Sequence, residues 1–100
     1  MDIFRDEIKN VVHVIKGECH GVVMSKRGYI RGDNNHVIVT PIVEDDENWF
    51  ISKSGGFSSY WLPKYIKVME QAQKWIEDNC DPDMPLIDGN PTEFGWKFRG

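Results

Sequence analysis

Residues 62–79, LPKYIKVMEQAQKWIEDN, constrain the fold more than any other stretch of this chain. Pro63 suits a first helical turn, where its missing N–H has no intrahelical partner. Ser58 or Ser59 can cap the helix from upstream, and Pro82 and Pro85 stop it beyond Asn79. Leu62, Ile66, Met69, Gln73 and Ile76 mark one stripe, and Tyr65, Val68, Ala72 and Trp75 a neighbouring one. Together they make a wide apolar face that is predicted to lie against a sheet. Lys64, Lys67, Glu70, Lys74, Glu77 and Asp78 fall mainly on the remaining face.

The middle of the chain supplies that sheet. His20–Ser25 (HGVVMS) reads as a short strand, Lys26-Arg27-Gly28 as a turn, and Tyr29–Arg31 as a further strand segment. Gly32-Asp33-Asn34-Asn35 is a strong turn signal. His36–Val43 (HVIVTPIV) is the clearest strand, and Pro41 within it places the strand at an edge or at a bulge. Glu44–Asn48 reads as the next turn and Trp49–Ser52 as the next strand. Near the C-terminus, Phe94, Trp96 and Phe98 alternate with Glu93, Gly95 and Lys97, a period-2 strand with three rings on one face. Residues 81–93, DPDMPLIDGNPTE, read as irregular.

The N-terminal segment has two readings. Phe4, Ile8, Val11 or Val12 and Ile15 recur at helical spacing, with Asp2 to cap and Gly17 to end a helix. The β-branched run Val11, Val12, Val14 and Ile15 favours a strand instead. The helix to about residue 15 is the first expectation, and a shorter helix passing into a strand is the second. The fold class expected is therefore α+β, with an antiparallel sheet of four or five strands against one long helix and a shorter N-terminal helix.

Composition bounds the function. One hundred residues suit a single domain. Twelve aromatics, four of them Trp, are enough to build a core at this length, and any that stay outside suggest a partner. The net charge of −4 disfavours a generic nucleic-acid binder. Two cysteines, Cys19 and Cys80, are too few for a disulfide scaffold and read as reduced thiols. MDIFRDEIKN has no apolar h-region and no apolar run approaches a membrane span, so a cytoplasmic protein without a membrane partner is expected.

Four stretches are candidates for chemistry. SGGFSSYWLP, residues 54–63, can be an anion-binding loop, a structured entry to the helix, or a docking surface. It lacks the GK[ST] ending of a nucleotide loop. Phe57, Tyr60 and Trp61 are residue types that make interface hot spots, which favours a protein partner over a phosphate. Glu44, Asp45, Asp46 and Glu47 form an acidic run without calcium-loop spacing, either a solvated turn or a contact for a basic partner. Lys26, Arg27 and Arg31 flank Tyr29, a pattern that can hold phosphates while the ring stacks on a base. His13, His20, His36, Cys19 and Cys80 lack the paired spacing of a zinc site, and Cys19–His20 is a poor nucleophile pair in an extended segment. No cofactor or metal is expected.

In its size, mild acidity, compact α+β pattern and lack of a catalytic signature, the chain resembles the small proteins that phages encode to block host machinery, such as anti-CRISPR proteins. The resemblance covers the whole chain but no motif, so it carries over no functional residue. It implies a binding protein that occludes a nucleic-acid-handling complex through acidic and aromatic surface residues. The function expected is thus a non-enzymatic inhibitor or adaptor acting on a protein partner. A nucleic-acid-binding accessory domain is the alternative, and a small enzyme with a cysteine or phosphate site the second. A homodimer through the 36–43 strand stays open.

Overall fold

The structure is a computed structural model and describes residues 1–27, 35–53, 55–83, 86–91 and 95–100. It is α+β. A curled antiparallel sheet is built from β1 (Val11–Lys16), β2 (His20–Arg27), β3 (His36–Asp45), β4 (Asn48–Ile51), β5 (Cys80–Asp83) and β8 (Gly95–Phe98). Their order is β1-β2-β3-β8-β5, with β4 also paired to β3. A separate small hairpin joins β6 (Leu86–Ile87) to β7 (Asn90–Pro91). The helix α1 (Leu62–Asn79) lies on one face and follows a 3-10 turn, Ser59–Trp61.

The N-terminal helix is overturned. Only Ile3–Asp6 forms a 3-10 turn. Asn10 then takes φ of 58°, a left-handed conformation that Asn tolerates better than most residues, and the β-branched run enters β1. A shift in register between Val11 and His13 marks a bulge. Val12 packs with the helix-side core and His13 stacks on Trp75 at 4.9 Å, so the bulge turns consecutive residues to one face.

Pro41 is not on an edge strand. β3 pairs with β2 along its length, with β8 at its start and with β4 at its end. The Pro41 carbonyl accepts from the Ser52 N–H at 3.0 Å. Its imide nitrogen faces Ser52 as well and has no hydrogen to return, so the β3–β4 ladder ends here with one bond instead of two. The outermost strands are β1, β5 and, beside the end of β3, β4, so the strand expected at an edge is covered by β8 at its start and by β4 at its end. β5 is a correction too. Cys80–Asp83 is a strand that runs into the segment read as irregular, and Pro82 sits there because the strand is an edge. Lys26 and Arg27 end β2 rather than forming a turn, and the turn after β3 is only Asp46-Glu47. The expected 29–31 strand and Phe94 lie outside the described residues.

Alternation along β2 feeds two cores. Val22 and Met24 face α1 with Val68 and Ala72, joined by Val12, Ile15, Val37, Val39 and Trp75. Val23 faces the other side with Phe4, Ile42 and Trp49. Helix and sheet meet closely through small residues: a Cβ added at Gly17 would lie 2.6 Å from Val68 Cγ2. Trp75 stacks on Phe98 at 5.7 Å, tying α1 to β8.

The seating of α1 corrects the expectation that both apolar stripes lie against the sheet. Tyr65, Val68, Ala72 and Trp75 turn inward. Leu62, Ile66 and Met69 remain 47%, 47% and 43% exposed. The two stripes are centred about 100° apart at 3.6 residues per turn, and the sheet reaches only one of them.

Candidate functional site

The 55–65 segment closes one side of a cleft of about 680 Å³ between the start of α1 and the ends of β2, β3 and β4. Ser58 organises the entry to the helix: its Oγ accepts from the Tyr60 N–H at 3.3 Å and its carbonyl from the Trp61 N–H at 2.9 Å. That turn aims Trp61 at His20, with ring centroids 5.4 Å apart and near edge-on. Phe57 and Tyr65 also meet His20, at 5.7 and 5.6 Å, and stack on each other at 5.1 Å. Burial pushes the Tyr65 phenol above its usual pKa.

These contacts decide what the SGGFSSYWLP stretch does locally. It is an aromatic wall around His20, capped by Ser58. Gly56 has no positive φ, and a Cβ at Gly55 or Gly56 would meet open space. Neither the turn nor a close approach requires these two glycines. Phe57 stays 46% exposed, Trp61 is half-buried, and Tyr60 is 65% exposed. Tyr60 is outside the cleft lining and packs edge-on against Trp61 at 5.0 Å, under Lys64, whose Nζ is 5.0 Å from its ring centroid and 4.9 Å from that of Trp61. The Lys64 ammonium is also 2.6 Å from the Glu18 carboxylate, and that bond raises its pKa.

The acidic run is divided. Glu44 pairs across the strands with Trp49 and borders the aromatic cleft. Asp45 pairs with Asn48, and Asp46 and Glu47 form the turn between β3 and β4 with φ of 51° and 67°. Phe57 and Trp61 thus share a cleft with Glu44, while Asp45, Asp46 and Glu47 sit at the hairpin tip. Lys26 and Arg27 border a shallow polar depression of about 400 Å³ together with Lys9, which sequence spacing did not connect to them. Tyr29 and Arg31 lie outside the described residues.

The thiols differ. Cys80 is 2% exposed, and burial pushes its thiol above the usual value, the opposite of an activated nucleophile. Cys19 is half-buried at φ of 65°, and its carbonyl accepts from the Glu44 N–H at 2.9 Å. Among the described residues, no three His, Cys, Asp or Glu side chains converge as metal ligands, and no helix is long and apolar enough to cross a membrane.

One surface escaped the sequence reading. Ile66, Met69, Ala72, Ile76, Val39 and Trp96 line a groove of about 500 Å³ along α1, bordered by Glu70, Gln73 and Glu77. The signal was present as a second stripe on the helix, but nothing local said which stripe the sheet would cover. No family model matches this chain, and neither a curated protein nor a solved structure matches it.

Proposed function

We propose that this chain is a non-enzymatic binding protein that docks a protein partner through the outer surface of residues 57–69, as a small inhibitor or adaptor does. One observation carries the reading. Phe57, Tyr60, Leu62, Ile66 and Met69 are all exposed, and the only other large exposed apolar side chains among the described residues are Met1 and Phe50. A helix that leaves a whole stripe uncovered marks an interaction site. Aromatic and Met side chains are enriched where interfaces form. The same surface suits the occluding role that the phage-inhibitor resemblance implies, with Glu44 and the Asp45–Glu47 tip steering a basic partner. A cytoplasmic site of action belongs to this reading, and the buried Cys80 thiol favours binding over thiol chemistry.

The test is a paired affinity capture from host lysate, with nuclease treatment, using the wild-type chain and an Ile66→Asp/Met69→Asp variant of unchanged circular dichroism. The reading expects a nuclease-resistant protein at near-stoichiometric yield with the wild type and loss of it with the variant. Equal recovery by both removes the α1 surface from the account.

A second reading has its own observation, the gathering of Lys9 with Lys26 and Arg27. A nucleic-acid contact there requires affinity that falls steeply as salt rises. Binding that ignores salt counts against it.

A further inference from the structure

The groove beside α1 has a chemistry that selects its occupant. Its floor is apolar, formed by Val39, Ala72 and Trp96 under Ile66, Met69 and Ile76. Among the described residues, its charged lining residues are Glu70 and Glu77, and no Lys or Arg lines it. At about 100° per residue, both carboxylates fall on the side of the exposed stripe away from the sheet, as an outer rim, with Lys67 and Lys74 further round. The Gln73 side-chain amide donates to the Glu77 carboxylate at 3.2 Å and holds it over the stripe. From Ile66 to Glu77 the groove runs for about 16 Å at 1.5 Å per residue, roughly three helical turns.

We propose that this groove receives an amphipathic helical segment of a partner protein, with apolar anchors on one side and Lys or Arg along the edge that meets Glu70 and Glu77. The inference rests on the reading of α1 as a docking surface and adds the partner's chemistry. An apolar groove beside a helix is how amphipathic segments dock, through side chains at i, i+3 or i+4, and i+7. Met69 adds an adaptable contact. Charge complementarity sets the register of the segment and rejects acidic ones. It also disfavours a second copy of this chain. In an antiparallel two-fold pairing of stripe on stripe, the Glu70 and Glu77 rims of both copies meet along one seam, four like charges with no cation between them.

The test uses three synthetic helical peptides with one fluorescent label. One carries a leucine stripe flanked by lysines, one the same stripe flanked by glutamates, and one the lysine composition scrambled so that no stripe forms. Anisotropy gives affinity, and amide shifts in the full chain give the site. The lysine peptide should bind with shifts at Ile66, Met69 and Trp96, and the other two should bind about tenfold more weakly, one because attraction at both Glu70 and Glu77 turns to repulsion and the other because its apolar stripe is lost. A Glu70→Lys/Glu77→Lys variant should reverse the order of the lysine and glutamate peptides. Equal affinity for those two peptides, an order unchanged by the charge swap, or no peptide binding overturns the proposed chemistry. The α1 docking reading then still stands if the captured protein is lost with Ile66→Asp/Met69→Asp, and falls if it is not. Concentration-dependent dimerisation abolished by Ile66→Asp would assign the groove to a second copy and overturn the proposal.

Discussion

Asp46 and Glu47 both hold a left-handed backbone, at φ of 51° and 67°, in the two-residue turn between β3 and β4. Turns with both central residues at positive φ match the twist of a hairpin, and Asn-Gly fills them with least strain. Glu47 there costs about 1–2 kcal/mol of backbone strain, and Asp46, whose short side chain suits the left-handed region, costs less. Replacing the pair, Asp46→Asn with Glu47→Gly, should raise Tm by roughly 5 °C in a domain of this size, read by calorimetry. An unchanged Tm would mean that the turn is not strained. Asp2 gives a pH test at the same scale. Its carboxylate accepts from Lys16 Nζ at 2.7 Å and Arg5 Nε at 3.3 Å. The Lys16 bond chiefly holds its pKa below 3.8. A lowered carboxylate pKa adds stability that is present above the unfolded value and lost as pH falls through the folded one. Asp2→Asn should therefore lower stability at pH 7 slightly, and the wild type's advantage should vanish as pH falls below 3.8 and through the lowered folded-state value. Parallel stability curves for the two chains down to pH 2 would contradict this.

At the scale of elements, local pattern located α1 to within a residue, because Pro63, Pro82 and a sustained 3.6-residue period are all local signals. β3 and β4 were legible for the same reason. β1 was not, because helical spacing and β-branched preference competed over the same residues, and Asn10 decided between them by leaving the helical region. β5 was hidden because Asp and Pro are poor strand formers and Cys80–Asp83 is extended only through its pairing with β8, far along the chain. The site was legible in part. Phe57 and Trp61 do converge, but on His20, which no spacing could indicate, and Tyr60 packs on Trp61 outside the cleft. The orientation of α1 was the largest omission, and it can be tested. Ala72 is 3% exposed against β2, so Ala72→Leu should overpack the interface and cost about 1–3 kcal/mol. Met69→Gln, on the exposed stripe, should change stability by no more than about 0.5 kcal/mol. Urea denaturation of the two variants compares the faces directly, and the reverse ranking would mean that the outer stripe is the buried one.

The molecule as a whole has a seam. β1, β2, β3 and β4 are joined by ladders of four or more paired residues, whereas the described pairing of β8 with β3 is His36–Lys97, with the Phe98 N–H donating to the Asn35 carbonyl at 2.9 Å. The β8–β5 pair is also tied to α1, through the stack of Trp75 between His13 and Phe98, and to β3 by a side-chain contact across the seam. His36, fully buried on β3, places Nε2 3.0 Å from Asp83 Oδ2 at the end of β5. Because β8 lies between these strands, the contact fastens the far edge of the sheet to its centre. Asp83→Ala removes the carboxylate and leaves a buried ring nitrogen without it, a change worth about 1–3 kcal/mol. If the seam opens independently, that energy falls on β5 and β8 alone. Amide exchange at Trp96 to Phe98 should then accelerate by about tenfold or more, one factor of ten for each 1.4 kcal/mol, with the amides of Val22 to Met24 unchanged. Equal acceleration in both regions would instead make the sheet one cooperative unit. Trp96 is also part of the groove floor, so an independently opening β8 would lower the groove's affinity for its segment by the fraction of time the strand is undocked. Asp83→Ala should therefore weaken the lysine-flanked peptide without touching any residue that lines the groove.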